Sequence, residues 1–132
     1  MNDAAAWYES LVQPSFAPPA WVFAPVWSVL YVIIAVSFGY VGVQAVRRRL
    51  PWRVALPFAL NLLFNLAFTP IQFGLRNNAL AAVDIVLVLA TLVWAMRAAW
   101  PHARWVALAN LPYLAWVAFA TVLQLSITWL NR

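Results

Sequence analysis

The residues of this chain that could do chemistry are aromatic rings and amides, set inside apolar runs. Trp27 and Trp116 stand deep within two such runs, and Asn61, Asn65, Gln72, Asp84, Asn110, Thr121 and Gln124 are their polar company. An indole offers a face on which another flat π system stacks, and an amide offers both donors and an acceptor. As the lining of a pocket, such a set fits a flat, mostly apolar ligand carrying a few polar substituents. It does not fit bond-making chemistry. The chain has no Cys, so a thiolate nucleophile, a disulfide and a Cys-ligated metal are all excluded. The one histidine, His102, cannot build a multi-histidine metal site within one chain. Asp84 is the only acidic residue inside an apolar run, which leaves no carboxylate pair and no proton relay.

What positions these residues follows from composition. Of 132 residues, 67% are hydrophobic and 8% charged, and the mean hydropathy is +0.85. A water-soluble domain carries about 25% charged residues to solvate its surface. Eight Arg, three acidic residues and no Lys cannot do that here, so the chain reads as an integral membrane protein. The net charge of +5 is not a nucleic-acid footprint, because the Arg residues lie between apolar runs and not along one face. The first ten residues carry Asp3 and Glu9 and lack the basic and apolar regions of a cleavable signal peptide.

Four stretches are long enough to cross a hydrocarbon core, which takes about 20 apolar residues each: 21–46, 52–73, 79–99 and 104–130. The breaks between them are short and polar, so neighbouring helices run antiparallel in a single bundle covering 1–132. Arg47, Arg48, Arg49, Arg53, Arg97 and Arg104 gather on one side, against Arg76 and Arg132 on the other. Basic residues are retained in the cytoplasm, which predicts Arg-rich loops inside and both termini outside. Trp52, Trp100 and Trp105 would belt the inner interface, and Trp21 and Trp129 the outer one.

Trp27 and Trp116 belong to neither belt; they fill a core, face lipid, or line a pocket. The amides need partners inside the bundle, since an unpaired polar group in hydrocarbon costs several kcal/mol. Asn61 and Asn65 share a helix face and Gln72 lies near it, where they act either as interhelical glue or as pocket lining. Asp84 either pairs with Arg76 near the outer interface or joins an interhelical network. Pro57, Pro70 and Pro112 each interrupt a span. The Pro-rich segment 1–20 is either a helix-entry loop or a lid over a cavity mouth.

Several blocks resemble one family. Trp7-Tyr8, Pro14-Ser15-Phe16, Pro18-Pro19, Trp21, Pro25-Val26-Trp27 and Leu30-Tyr31 look like the first loop and second helix of the TspO/MBR family, the translocator and tryptophan-rich sensory proteins. The run from Phe64 to Gly74 resembles the family's third helix, Ala82-Val83-Asp84 its fourth, and the run from Pro112 to Thr121 its fifth. The resemblance implies an all-α membrane bundle with a pocket that takes porphyrins such as protoporphyrin IX. Carried over, the pocket would be lined by Trp27, Tyr31, Asn65, Phe68, Gln72, Asp84, Trp116 and Ala120, beneath a lid containing Trp7, Tyr8 and Pro19. It implies no required cofactor. Light-dependent porphyrin breakdown enters only through the family, so the expectation is a binder and not an enzyme.

Three departures qualify the match. The chain starts where the family's first loop would be, which implies four spans in place of five. A late-assigned start, a homodimer, or a partner within a larger membrane complex, such as a pigment–protein assembly, would each account for the fifth; the last makes the protein a non-catalytic subunit. Leu66 and Phe68 stand where many members have Trp. The C-terminal cholesterol motif is not matched after Ala120.

Overall fold

The computed structural model describes residues 11, 14–15, 20–71, 75 and 77–131. A 3₁₀ turn, Ala20–Val22, leads into α1, Phe23–Val46, followed by α2, Trp52–Thr69, and α3, Asn78–Ala99. Then come the short α4, Arg104–Ala109, and α5, Leu111–Leu130. The fold is all-α, with no strand among the described residues.

Local chemistry sets the helix ends. Pro51 is extended at φ −60° and ψ 143° and hands over to α2, while the Asn77 side-chain oxygen caps α3 by accepting from Leu80 N–H at 2.9 Å. At the end of α1 the Arg49 N–H bonds the Gln44 carbonyl at 2.8 Å and the Arg48 N–H bonds that of Ala45 at 3.0 Å. This paired closure requires a left-handed residue, and Arg48 takes it at φ 59°, where glycine is the usual occupant.

Two of the expected spans differ in the structure. The stretch 104–130 is two helices divided at Asn110, because Pro112 has no N–H for the Leu108 carbonyl and its ring crowds that turn. Asn110 closes the end of α4: its backbone N–H reaches the carbonyls of Val106 and Ala107, and its Nδ2 donates to the Val106 carbonyl at 2.8 Å. The stretch 52–73 is helical only to Thr69, where Pro70 turns the chain into a wider loop closed by Leu75 N–H on the Pro70 carbonyl. Residues 72 and 73 lie outside the described set. Pro57 does not break α2, because the carbonyl it frees belongs to Arg53 at the helix entrance, within reach of water.

α3 is the axis of the bundle, packed along both α2 and α5. Ala81, Ala82, Ala95 and Ala99 are buried on it and let neighbouring backbones come close, with Val88 and Leu92 between them. α1 adds Leu30, Ile34, Phe38 and Val41, Phe38 meeting Phe58 of α2 edge to face at 4.8 Å. Outward, Val29, Val32 and Val36 of α1, Leu63 and Leu66 of α2, Val83 and Val86 of α3, and Val122 and Leu125 of α5 form an exposed aliphatic belt. α1, α3 and α5 are each long and apolar enough to cross a membrane, and α2, at 18 residues, spans about 27 Å. The belt is a surface for lipid acyl chains. Antiparallel connection brings Arg47–Arg49, Arg53, Arg97 and Arg104 to one end, where the Arg104 guanidinium lies 5.1 Å over the Trp100 ring.

Because a side chain in the left-handed region is strained by about 1 kcal/mol, Arg48→Gly should stabilise the folded protein by about that amount. Denaturant unfolding in detergent micelles measures it, and an unchanged or lower midpoint would show that the turn is not strained.

Candidate functional site

Where small residues line α3, helices pack backbone to backbone; between α1 and α5 large rings intervene. Trp27 meets Tyr113 at 6.3 Å and Phe23 meets Trp116 at 5.7 Å, both edge to face. These rings hold the helices apart and leave a cavity of about 300 Å³. Its wall comes from the start of α1, the end of α2, the first half of α3 and the latter part of α5. It therefore lies at the end of the bundle opposite the Arg cluster.

Six of the residues expected in a pocket line this cavity together: Trp27, Tyr31, Asn65, Phe68, Trp116 and Ala120. Gln72, Trp7, Tyr8 and Pro19 lie outside the described residues, as does Arg76. Asp84 is not on the wall. It is buried on α3 at 5% exposure, its Oδ2 without a hydrogen-bond partner, while its neighbours Ile85 and Val88 face the cavity instead. Val88, four residues on, shares a side of α3 with Asp84 and reaches the wall, so on that side the wall stops a turn short of Asp84.

The wall also holds Gln124, one of the polar groups expected at depth, and members that the sequence did not single out: Phe23, Ala24, Ile85, Val88, Leu123 and Ile127. A signal for some existed. Phe23, Trp27 and Tyr31 stand at spacings of four, and Leu123, Gln124 and Ile127 continue the stripe of Trp116 and Ala120.

Polar groups behind the wall form one continuous chain. Tyr31 Oη donates to Asn65 Oδ1 at 3.0 Å, Asn65 Nδ2 donates to Tyr113 Oη at 2.8 Å, and Tyr113 Oη donates to Asn61 Oδ1 at 2.8 Å. Asn61 Nδ2 ends the chain on the Val88 carbonyl at 2.9 Å and Thr91 Oγ1 at 3.2 Å. Four helices are thus tied through side chains. The two readings of Asn61 and Asn65 separate: Asn61 is fully buried glue, whereas Asn65 is both glue and cavity wall. Elsewhere Asn110 Nδ2 reaches Ser37 Oγ of α1 at 3.0 Å, and Thr128 Oγ1 donates to the Asn78 carbonyl at 3.0 Å.

Chemically, the arrangement can stack on and enclose an apolar ring system and offer a few hydrogen bonds at one edge. Among the described residues no cluster of His, Asp and Glu could hold a metal ion. Tyr113, with no exposure, is the node of the polar chain. Tyr113→Phe keeps the ring but strands Asn61 Oδ1 and Asn65 Nδ2, and should cost about 1–2 kcal/mol. Unfolding in mixed micelles checks it; a neutral substitution would mean that these bonds do not hold the bundle.

Comparison with known proteins supplies the family. The sequence model of the TspO/MBR family matches residues 1–130. The chain is 37% identical over 116 residues to protein CrtK of Rhodobacter capsulatus, covering 80% of this chain and 72% of that protein. It is 36% identical over 98 residues to the tryptophan-rich protein TspO of Chlorobaculum tepidum, covering 74% of this chain and 61% of that one. It is also 37% identical over 120 residues to the human translocator protein, covering 80% of this chain and 70% of that protein. The lipid-facing belt, the helical bundle and these matches together identify the chain as a membrane protein of the TspO/MBR family.

Proposed function

We propose that the protein binds a porphyrin or a similarly flat, apolar ligand in the cavity between α1 and α5, serving tetrapyrrole handling, transport or stress sensing. The observation that carries this is the meeting of Trp27 and Trp116, from helices far apart in sequence, on the wall of one cavity. Placed there, their faces are available to a macrocycle, each stack adding about 0.5–1.5 kcal/mol beyond burial. Asn65 and Tyr31 supply polar contacts at one edge. At about 300 Å³ the cavity is at the small end for a ligand site, so a porphyrin would extend past it, over Tyr31, which is 42% exposed. The role is binding, without a catalytic residue. Names of the relatives, translocator protein and tryptophan-rich protein, agree with a binding role. The protein works either as a homodimer or within a larger membrane assembly, with the outer face of α1 as its open side.

In this reading the Arg-rich end faces the cytoplasm and both termini lie outside, as the retention of basic residues inside favours. Since the chain has no cysteine, one can be introduced at Arg48 or at Asn131 without background. In intact cells a membrane-impermeant maleimide should label the Asn131→Cys protein and spare Arg48→Cys; the opposite pattern would invert the topology.

Titration of the detergent-solubilised protein with protoporphyrin IX should quench tryptophan fluorescence saturably. Trp27→Ala and Trp116→Ala should each weaken binding about tenfold. Quenching that never saturates, or that is unaffected by both substitutions, would sink the assignment.

A further inference from the structure

The hydrogen-bond chain behind the cavity can run in one direction only. A carbonyl oxygen accepts and never donates, so the Asn61 atom 2.9 Å from the Val88 carbonyl has to be Nδ2. The other contact of that nitrogen, Thr91 Oγ1, spends its own proton on the Leu87 carbonyl at 2.7 Å and therefore accepts from Asn61. With its nitrogen so placed, Asn61 turns Oδ1 to Tyr113, which must give it its single proton. Tyr113 can then only accept from Asn65, so Asn65 Nδ2 faces it and Asn65 Oδ1 faces Tyr31. Tyr31 is left donating its proton inward. A backbone carbonyl on α3 thereby decides the polarity of a hydroxyl on α1.

Gln124, across the same cavity, is held by an independent copy of the same logic. Its Nε2 faces the Asn78 carbonyl at 3.4 Å and Thr128 Oγ1 at 3.2 Å, and the Thr128 proton goes to that same carbonyl. Gln124 Oε1 remains to accept.

We infer that the hydroxyl edge of the cavity, Tyr31 Oη, is locked as hydrogen-bond acceptor and selects flat ligands that carry an N–H or O–H donor there. Asn65, 5% exposed, has committed its Oδ1 and one of its two amide protons; Tyr31, 42% exposed, is the more reachable group. The other side-chain donors on the described wall include the indole N–H groups of Trp27 and Trp116 and the second proton of Asn65 Nδ2. A matching ligand places its donor toward Tyr31 and its apolar faces on the indoles. This inference rests on the proposed occupation of the cavity by a flat ligand and adds the hydrogen-bonding class of that ligand.

Three rigid tricycles of nearly equal shape test it: carbazole, whose central ring carries an N–H donor; fluorene, which has neither donor nor acceptor there; and dibenzofuran, which has only an acceptor. Binding is measured to the protein in lipid nanodiscs, corrected for partition into protein-free discs. Carbazole should bind about three- to tenfold more tightly than fluorene, the worth of one neutral hydrogen bond. Tyr31→Phe should bring carbazole close to fluorene. Tyr113→Phe touches no part of the wall but frees the Asn65 amide to turn, so Tyr31 can donate outward and dibenzofuran should gain on carbazole. If carbazole and fluorene bind alike, or Tyr31→Phe leaves their ratio unchanged, while Trp27→Ala and Trp116→Ala weaken both, the acceptor edge is overturned and the cavity reading stands. If neither tryptophan substitution affects any of the three, the tricycles do not occupy the cavity, and both readings fall together.

Discussion

A polar group in hydrocarbon has no water to fall back on, and this one constraint organises the interior of the bundle. The Val88 carbonyl, Asn61, Tyr113, Asn65 and Tyr31 satisfy one another in a line that passes through α3, α2, α5 and α1. Each bond within a membrane is worth on the order of 1 kcal/mol, so the line is not a large store of stability. Its effect is on register. A helix that slid or rotated by one residue would leave two or more buried groups unpaired, each at a cost greater than the bond it gave up. Side-chain hydrogen bonds therefore choose among packings that aliphatic contacts alone would leave nearly equal.

The cavity is the counterpart of that choice. Alanines on α3 allow α2 and α5 to close in, whereas α1 is kept from α5 by Phe23, Trp27, Tyr113 and Trp116. Rings cannot fill the space between helices as interdigitated aliphatic chains do, and a void of ligand size remains. Three of the rings that create the void, Phe23, Trp27 and Trp116, also line it. Polar satisfaction and ligand contact also share atoms at Tyr31 and Asn65, so the bundle's internal order is carried directly onto the cavity wall.

Asp84 shows where pattern and position part. It reads as a pocket residue because family resemblance places it among pocket residues, and because an acidic group inside a span demands a reason. In the structure it is buried on α3 off the cavity wall, and one carboxylate oxygen has no partner. Ile85, one residue along, and Val88, one turn along, line the cavity in its stead. Helical periodicity says which residues share a face, but not how far along that face the void extends.

Much was legible before any coordinates. Scarce charge against 67% hydrophobic residues requires a bilayer, and the spacing of apolar runs and Arg-rich breaks requires an antiparallel helical bundle. Trp27, Trp116 and Asn65 were conspicuous as residues at depth without an interfacial role. These properties follow from composition and period, which are local to the chain. What only the tertiary structure decided were distances between helices: the cavity between α1 and α5, the place of Gln124 on its wall, and the linking of Asn61 to the Val88 carbonyl. No periodicity encodes these, because each depends on how far one backbone stands from another. That distance is set by the summed sizes of facing side chains and by the cost of leaving buried polar groups unpaired.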